Sequence, residues 1–288
     1  MQTPVTEQNS RIRIYEPNYI KKTGIRAWSD MVNELIEYRE LIWRLMVRDI
    51  SARYRQSVLG VLWSFLTPLF IMGIFVVVKN NKIIPIGDTT LPYPAYVFIG
   101  QMVWLLFSQG LTSAANSLIS SESLLAKINF PKEVLILSAL GQTIFDFIIR
   151  IPLLIIIFFW VGFVPKPAII FVPVIIIPLL FLIFGLGLLV AMFNAIIRDI
   201  GSVLLIVLSV AMFASPVIYP PPTAWPLNFW INYVNPVSGF LIAAQDLSAK
   251  GYISDPAGYF YAVIFSLVTV LVGWRIFHLV EPKIAERI

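Results

Sequence analysis

The stretch RQSVLGVLWSFLTPLF, residues 55–70, joins two segments of opposite character. Upstream of it the chain is crowded with charge, with four arginines and one aspartate between positions 44 and 55. Residues 58–78, by contrast, hold 21 positions without a charged side chain. About 20 mostly apolar residues cross a bilayer as a helix, so residues 58–78 are predicted to be a membrane span. A basic segment at the membrane surface is thus predicted to lead directly into the first span.

Composition places the whole chain among membrane proteins. It is 58% hydrophobic and 13% charged, with a mean hydropathy of +0.83, whereas soluble domains carry about 25% charged residues. Six segments are long and apolar enough to span: residues 58–78, 94–115, 134–163, 168–193, 200–218 and 259–277. The predicted fold is an all-α integral membrane domain. Its divisions are an N-terminal tail (1–29), an interface helix (30–57), a six-span domain (58–279) and a C-terminal tail (280–288).

Basic residues indicate the orientation of these spans. Cytoplasmic loops are enriched in lysine and arginine, and six spans place both termini on one side. The N-terminal segment carries ten of these residues, the loop 116–133 two, the turn 194–199 one and the C-terminal end three, whereas the opposite side carries only Lys79, Lys82, Lys166 and Lys250. Both termini are therefore predicted to be cytoplasmic. The net charge of +5 is explained by topology and does not indicate nucleic-acid binding.

The segment before the first span has the periodicity of an amphipathic helix. One predicted face is polar: Asn33, Glu37, Glu40, Arg44, Arg48, Ser51 and Arg55. The opposite face is apolar: Met31, Leu35, Tyr38, Ile42 and Leu45. Such a helix lies in the membrane interface, and the turn at Leu59 and Gly60 takes the chain into the bilayer. Arg44, Arg48, Arg53 and Arg55 either set topology and attract anionic lipid, or also bind an anionic group of a substrate.

Residues 219–256 are apolar but interrupted by prolines. LNFWINYV (227–234) and VSGFLIAAQDLSA (237–249) are too short to span, so they are predicted to be external re-entrant helices. Such broken backbone lies at membrane depth only where protein or water covers it. An aromatic belt on an external loop is the alternative, and the two can coexist.

Several kinds of chemistry are excluded or limited by the residues present. No lysine follows a glycine, so the chain has no Walker A motif and does not hold ATP in a P-loop. With one histidine and no cysteine, no metal site and no cofactor are expected on this chain. Away from the ends of the predicted spans, the charged side chains are Asp146 and Arg150, which are four residues apart and are expected to pair with each other or to contact a neighbouring helix.

Four stretches, in order along the chain, resemble the membrane subunit of ABC-2 type polysaccharide exporters, the family of O-antigen, capsule and teichoic acid permeases. They are RDISARYRQSVLGVLWSFLTPLF (48–70), LLAKINFPKEVLILSALGQTIFDF (124–147), NAIIRDIGSVLLIVLSVAMFASPVIYP (194–220) and YVNPVSGFLIAAQDL (233–247). The resemblance covers about residues 35–277. It implies a homodimer in a bacterial cytoplasmic membrane, two copies of a separate ATPase that carries ATP and Mg²⁺, and a polysaccharide on a polyprenyl diphosphate as substrate.

The resemblance also implies roles for particular segments. The diphosphate is expected near Arg53–Gly60, with Arg44, Arg48, Arg53, Arg55, Leu59 and Gly60 as candidates. The pore-lining candidates are Trp63, Phe70, Phe75, Met212, Phe213 and Tyr219, and the outer-gate candidates are Trp225, Phe229, Trp230, Tyr233 and Phe240. The loop 117–133 is expected to contact the ATPase through a short helix that ends at Pro131, with Glu122, Leu124, Leu125, Lys127 and Phe130 as candidates.

Two other functions share parts of this pattern. An ABC-2 exporter of a small lipid or drug would have the same topology, but it needs neither the basic interface helix nor the outer aromatic segment. A secondary transporter would depend on intramembrane ionisable residues such as Asp146 and would work without an ATPase.

Overall fold

The computed structural model describes residues 25–55 and 60–285, with side-chain surroundings for residues 28–55 and 60–281. Over these residues the chain forms helices and loops and contains no β-strand. The helices are α1 (Ile25–Glu37), α2 (Arg39–Arg55), α3 (Leu62–Asn80), α4 (Tyr93–Ser120), α5 (Glu122–Leu125), α6 (Glu133–Val161), α7 (Val172–Ile175), α8 (Ile177–Ile196), α9 (Asp199–Phe213), α10 (Leu227–Phe229), α11 (Pro236–Ala249) and α12 (Pro256–Ala285). A 3₁₀ turn, Pro167–Phe171, precedes α7, and a π-helical turn, Trp230–Val234, follows α10.

Five of the six predicted spans correspond to helical segments that are long and apolar enough to cross a membrane. They are Leu62–Asn80, Tyr93–Ser120, Glu133–Val161, Pro167–Ile196 and Pro256–Glu281. Local chemistry accounts for their ends: Gly162 has a positive φ of 65° and terminates α6, and prolines occupy the first turns of α4 and α12. The all-α membrane architecture predicted from the sequence is confirmed.

The fifth predicted span, residues 200–218, is only partly helical. Helix α9 ends at Phe213 and has 15 residues, which is about 22 Å of helix and less than the roughly 30 Å of a bilayer core. Ser215, Pro216, Val217 and Ile218 follow as buried, non-helical backbone. Side chains satisfy this backbone: the Tyr93 hydroxyl donates to the Ile218 carbonyl at 3.0 Å, and the Gln245 amide donates to the Pro216 carbonyl at 3.2 Å. A count of six spans therefore remains a prediction.

Helix α4 is the centre of the bundle. It packs against α3, α6, α8, α9 and α11, and most of its side chains are buried. In contrast, α3 and α9 bury few residues and leave large apolar side chains exposed, among them Phe70, Ile74 and Ile206. The core of the chain is thus built on α4, and α3 and α9 lie at its periphery.

The interface segment consists of two helices rather than the single predicted one. They meet at Tyr38, and residues 56–59 lie outside the described part of the chain. The predicted faces agree with burial: all seven polar-face residues are exposed, and the five apolar-face residues are buried or half-buried. Protein covers part of the apolar side, because α2 packs against α6 and the Met46 side chain lies beside Gly141. Gly60 then adopts a φ of 43°, which is in the left-handed region that favours glycine.

The segment 219–256 is broken into short helices, as its prolines predict. Asn235 separates the turn Trp230–Val234 from α11, and its side-chain oxygen accepts a hydrogen bond from the Val237 N–H at 3.1 Å, as a helix N-cap does. Almost all of α11 is buried, and it packs against α4 and α12. Protein therefore covers α11, the condition under which a short helix occurs at membrane depth, whereas residues 223–227 are exposed.

Candidate functional site

A cavity of about 520 Å³ lies between α4 and α9. Its lining consists of Trp104, Ser108, Gln109, Thr112 and Ser113 from α4, Leu205, Leu208, Ser209, Met212 and Phe213 from α9, and Arg53 from the end of α2. The wall formed by α4 is rich in hydroxyl and amide groups, whereas the wall formed by α9 is mainly apolar. The cavity thus combines aromatic rings, hydrogen-bonding groups and one guanidinium within an otherwise apolar bundle.

The polar wall on α4 is the main functional feature that the sequence prediction missed. Ser108 and Thr112 line the cavity, and Gln101, which lies seven residues before Ser108, shares their helix face but is not part of the lining. Gln101 is buried, and neither polar atom of its side chain has a hydrogen-bond partner. Polar residues at helical spacing within an apolar span were the available signal, because such residues turn away from lipid.

A polar network lies next to the cavity and joins four helices. Arg53 Nη1 donates to Asp146 Oδ2 at 2.7 Å, and the Tyr54 hydroxyl donates to Asp146 Oδ1. Arg150 donates through Nη2 to Gln109 Oε1 at 3.0 Å and through Nε to the Ser64 carbonyl at 3.2 Å. Burial, reinforced by Asp146, raises the pKa of the Tyr54 hydroxyl, so the hydroxyl keeps its proton and donates. The network connects α2, α3, α4 and α6.

This geometry corrects the expected pairing of Asp146 with Arg150. They lie on one face of α6, but both carboxylate oxygens of Asp146 are taken by side chains of α2, and Arg150 bonds to α3 and α4. The physical reason is that α2 packs along α6 and brings Arg53 and Tyr54 directly onto the carboxylate. The alternative expectation, that Asp146 and Arg150 contact neighbouring helices, describes the arrangement.

The four arginines that were predicted to bind an anionic group occupy different surroundings in the structure. Arg53 lines the cavity, with 43% of its side chain exposed. Arg44 pairs with Glu40 at 2.6 Å and Arg48 with Asp49 at 2.8 Å, both on the exposed surface of α2. Arg55 is exposed at the end of α2, and Leu59 lies outside the described residues. Among these arginines, Arg53 alone contributes to the cavity in the described part of the chain.

The pore-lining candidates do not share one surface. Met212 and Phe213 line the cavity together with Trp104. Phe70 belongs to a separate apolar groove along α3, and Trp63, Phe75 and Tyr219 line neither surface. On α3, Trp63 and Phe70 are more than half exposed, whereas Phe75 packs against the core.

The outer aromatic candidates form one exposed cluster, with one exception. The Phe229 ring lies 5.6 Å from Trp225, 6.0 Å from Trp230 and 6.3 Å from Tyr233, measured between ring centroids. Phe240 is fully buried and packs edge-on against Tyr259 at 5.8 Å, so it does not belong to this exposed cluster. It stabilises the core from α11 because the inner face of that helix is enclosed by α4 and α12.

The segment between α4 and α6 exposes a smaller surface than predicted. Helix α5 ends at Leu125 rather than at Pro131, and Phe130 is buried. Leu124 and Leu125 are half-buried against the core, which leaves Glu122 and Lys127 exposed, together with Ile128. Phe130 therefore anchors the loop and cannot form an open docking surface with the other four candidates.

A buried charged cluster joins the start of α6 to the end of α12. Glu281 accepts a hydrogen bond from the Lys132 backbone N–H at 2.9 Å, with the Lys132 ammonium 3.4 Å away, and His278 Nδ1 lies 3.4 Å from Glu133 Oε1. One ligand atom each from Glu133, His278 and Glu281 lies within 4.8 Å of the others, a separation that a metal ion could bridge. The Lys132 ammonium pairs with Glu281, and His278 lies beside Glu133, so the cluster is explained as an ion-pair network.

The fold and the cavity define a multi-pass helical membrane protein with an open cleft, lined by polar and aromatic groups, between two of its helices, an arrangement that fits a transporter subunit. The model of the ABC-2 type transporter family matches residues 40–247, and the chain belongs to this family.

Curated relatives match along nearly their whole length. The chain is 26% identical over 260 residues to an O-antigen export system permease protein, RfbA, of Myxococcus xanthus, with 90% of this chain and 99% of the relative covered. It is 25% identical to an RfbA of Klebsiella pneumoniae over 242 residues, covering 83% of this chain and 91% of the relative. It is 24% identical to the polysialic acid transport protein KpsM of Escherichia coli over 247 residues, covering 81% and 90%.

Proposed function

We propose that this chain is the membrane-spanning permease subunit of an ATP-driven exporter, which moves a polyprenyl-diphosphate-linked polysaccharide across the cytoplasmic membrane of a bacterium. The observation that carries the proposal is the cavity between α4 and α9, whose lining suits a sugar polymer. The relatives named for O-antigen export and polysialic acid transport support the same substrate class.

The cavity offers the two kinds of contact that a glycan uses. Phe213, which is 58% exposed, presents an aromatic ring against which the apolar faces of sugar rings can stack, and the buried Trp104 lies behind it in the lining. Ser108, Gln109 and Thr112 present groups that can bond to sugar hydroxyls, directly or through water. None of these contacts requires the polysaccharide to sit in one register. The polysaccharide can therefore slide past them.

The diphosphate is proposed to reach the cavity at Arg53. A guanidinium binds phosphate oxygens through two parallel hydrogen bonds, and Arg53 is the cation that lines the cavity in the described part of the chain. The exposed Arg44, Arg48 and Arg55 on α2 would attract anionic groups to the cytoplasmic leaflet. Gly60 gives the chain the turn that lets α3 leave this surface.

A second copy of the chain is proposed to complete the pathway. Both α3 and α9 leave apolar faces uncovered in the single chain, with Phe70, Ile74, Ile206 and Val210 more than half exposed. Lipid covers such faces in a monomer, and pairing of two copies would bring them together. In that arrangement, residues 214–218 would continue the path of α9 toward the outer surface. Both termini would lie on the cytoplasmic side, as the distribution of basic residues predicts.

A separate ATPase is proposed to drive export, because the sequence lacks a P-loop. Glu122 and Lys127 on the α4–α6 segment are exposed and would contact it. The short, buried connection through Phe130 to α6 would transmit the contact to the network around Asp146. ATP can shift the transporter between states only if the ATPase binds those states with different affinity.

The proposal is tested by deleting the gene and measuring surface polysaccharide and intracellular lipid-linked polymer. We expect surface polysaccharide to be lost and polymer to accumulate inside. Complementation with Arg53→Gln/Arg55→Gln should restore insertion but not normal export, whereas the matched control Arg39→Gln, an exposed arginine at the start of α2, should restore both.

Two outcomes would contradict the proposal. Unchanged surface polysaccharide after deletion would favour the export of a small lipid or drug. A purified chain that brings no ATPase with it, combined with transport that Asp146→Asn abolishes, would favour a secondary transporter.

A further inference from the structure

Arg150 is a buried cation without an ion-pair partner of its own. It is 2% exposed, and its hydrogen bonds go to two neutral acceptors, Gln109 Oε1 and the Ser64 carbonyl. Its Nη1 atom is buried and has no hydrogen-bond partner. A buried arginine usually has a carboxylate partner, because desolvating an unpaired charge costs several kcal/mol. The arrangement around Arg150 therefore needs an explanation.

Two guanidinium groups share one carboxylate in this network. Across the described residues, Asp146 is the carboxylate whose charge acts on Arg150, and it lies one turn earlier on α6. Both Asp146 oxygens are occupied by Arg53 and Tyr54. The cluster of Arg53, Asp146 and Arg150 thus carries one excess positive charge at the edge of the cavity.

Arg53 is the member of this cluster that an incoming anion can reach. Its side chain is 43% exposed and lines the cavity, whereas Asp146 is 2% exposed and lies behind it. A diphosphate in the cavity would compete with Asp146 for the Arg53 guanidinium. If Arg53 turned toward the diphosphate without compensation, Asp146 would become an unpaired buried carboxylate, which would oppose the exchange.

We propose that Arg150 is the reserve counter-ion of Asp146, which allows Arg53 to exchange this carboxylate for a diphosphate in the cavity. The residue spacing of four on α6 places Arg150 on the same helix face as Asp146, and its unbonded Nη1 is available for the carboxylate. Asp146 then stays paired in both states, and the excess charge of the cluster is neutralised by the substrate. The inference rests on the proposed function for its ligand, a prenyl diphosphate.

The experiment measures the binding of farnesyl diphosphate to the full-length chain in phosphatidylcholine nanodiscs by calorimetry. Arg150→Gln should raise the Kd at least tenfold, because the release of Arg53 would leave Asp146 unpaired. Asp146→Asn should lower the Kd, because Arg53 is no longer held. The double variant should bind within a few-fold of the wild type, since it contains no buried carboxylate to compensate. Arg39→Gln, which also removes one positive charge, should leave the Kd unchanged.

The double variant separates this mechanism from simpler roles of Arg150. If it binds as weakly as Arg150→Gln alone, Arg150 contacts the diphosphate itself and the exchange is refuted. An unchanged Kd in Arg150→Gln also refutes it. Arg150→Lys keeps the positive charge and should bind farnesyl diphosphate with a Kd within a few-fold of the wild type. It replaces Arg150→Gln as the test if Arg150→Gln does not fold. Weak binding by folded Arg150→Lys would then overturn the proposal.

Two competition measurements in the same binding assay identify the ligand. Inorganic pyrophosphate should compete with farnesyl diphosphate, whereas displacement of the probe by phosphatidylglycerol in the nanodisc would show a phospholipid site and overturn the assignment. Failure here is distinguishable from failure of the proposed function. Loss of surface polysaccharide on gene deletion, combined with variants that bind diphosphate identically, would refute the counter-ion exchange alone.

Discussion

The contact between α8 and α12 gives the sharpest test of the packing. The two backbones touch at Gly185 and Gly273: a Cβ atom built on Gly185 would lie 2.6 Å from the Thr269 carbonyl oxygen and 2.7 Å from the Val270 Cα. A Cβ on Gly273 would meet the Gly185 backbone, with the carbonyl carbon at 3.0 Å. Small residues allow such close approach of helices in membranes. Gly185→Ala or Gly273→Ala is therefore expected to push the helices apart.

The size of the effect follows from these distances. Ordinary contact begins near 3.4 Å, so the helices must separate by roughly 1 Å, and a gap of that size loses about a quarter to a half of each dispersion contact. Overpacking of this kind costs about 1–3 kcal/mol. Alanine also favours the helix over glycine by about 1 kcal/mol, which opposes part of the cost.

Gly73→Ala in α3 is the matched control. A Cβ at Gly73 has no atom within 4 Å, so this change reports the helix preference without a clash. Each variant of the full-length protein is heated in detergent, and the fraction that stays monodisperse is followed by size-exclusion chromatography. We expect the midpoint to fall by several degrees for Gly185→Ala and Gly273→Ala, and to stay or rise for Gly73→Ala. Equal midpoints for all three variants would refute the backbone contact.

Three other predictions use the same preparations. Asn194→Ala should cost about 1–3 kcal/mol, because its buried amide donates to the Ala115 carbonyl and accepts from the Gly201 N–H; an unchanged midpoint would contradict this bridge. Phe240→Ala should destabilise by about 3–5 kcal/mol, whereas the midpoint of Trp225→Ala should stay near the wild type, because Trp225 is 77% exposed; the reverse order would place Phe240 outside the core. Reversing both charges, Glu122→Lys with Lys127→Glu, should leave the midpoint unchanged and reduce ATPase copurification; full copurification would exclude this loop as the contact.

Local patterns were sufficient for the membrane class and for most helices. Continuous apolar segments identified five helices long enough to span, because burying a backbone in lipid depends on the length and polarity of a single segment. The faces of α1 and α2 were predicted for the same reason, since helical spacing alone decides which side chains lie together. The break at Asn235 followed from the proline after it.

Local patterns could not predict the site, because its residues are distant in sequence. Asp146 is 93 positions from Arg53, and periodicity favoured its nearer neighbour Arg150 as a partner. The packing of α2 along α6 decided otherwise. Likewise, Phe240 and Trp225 are both aromatic residues in a broken apolar segment, and only the enclosure of α11 by α4 and α12 distinguishes the core residue from the exposed one.

The sequence by itself therefore determined that the chain is a bundle of membrane helices with a basic, amphipathic segment at one surface. Both properties depend on which side chains are adjacent within one helix. Only the tertiary structure decided that α4 supplies the polar wall of the cavity, that Arg53 reaches this cavity, and that Arg150 bonds to α3 and α4 rather than to Asp146. Those properties depend on how helices far apart in the chain pack against one another, which no local pattern specifies.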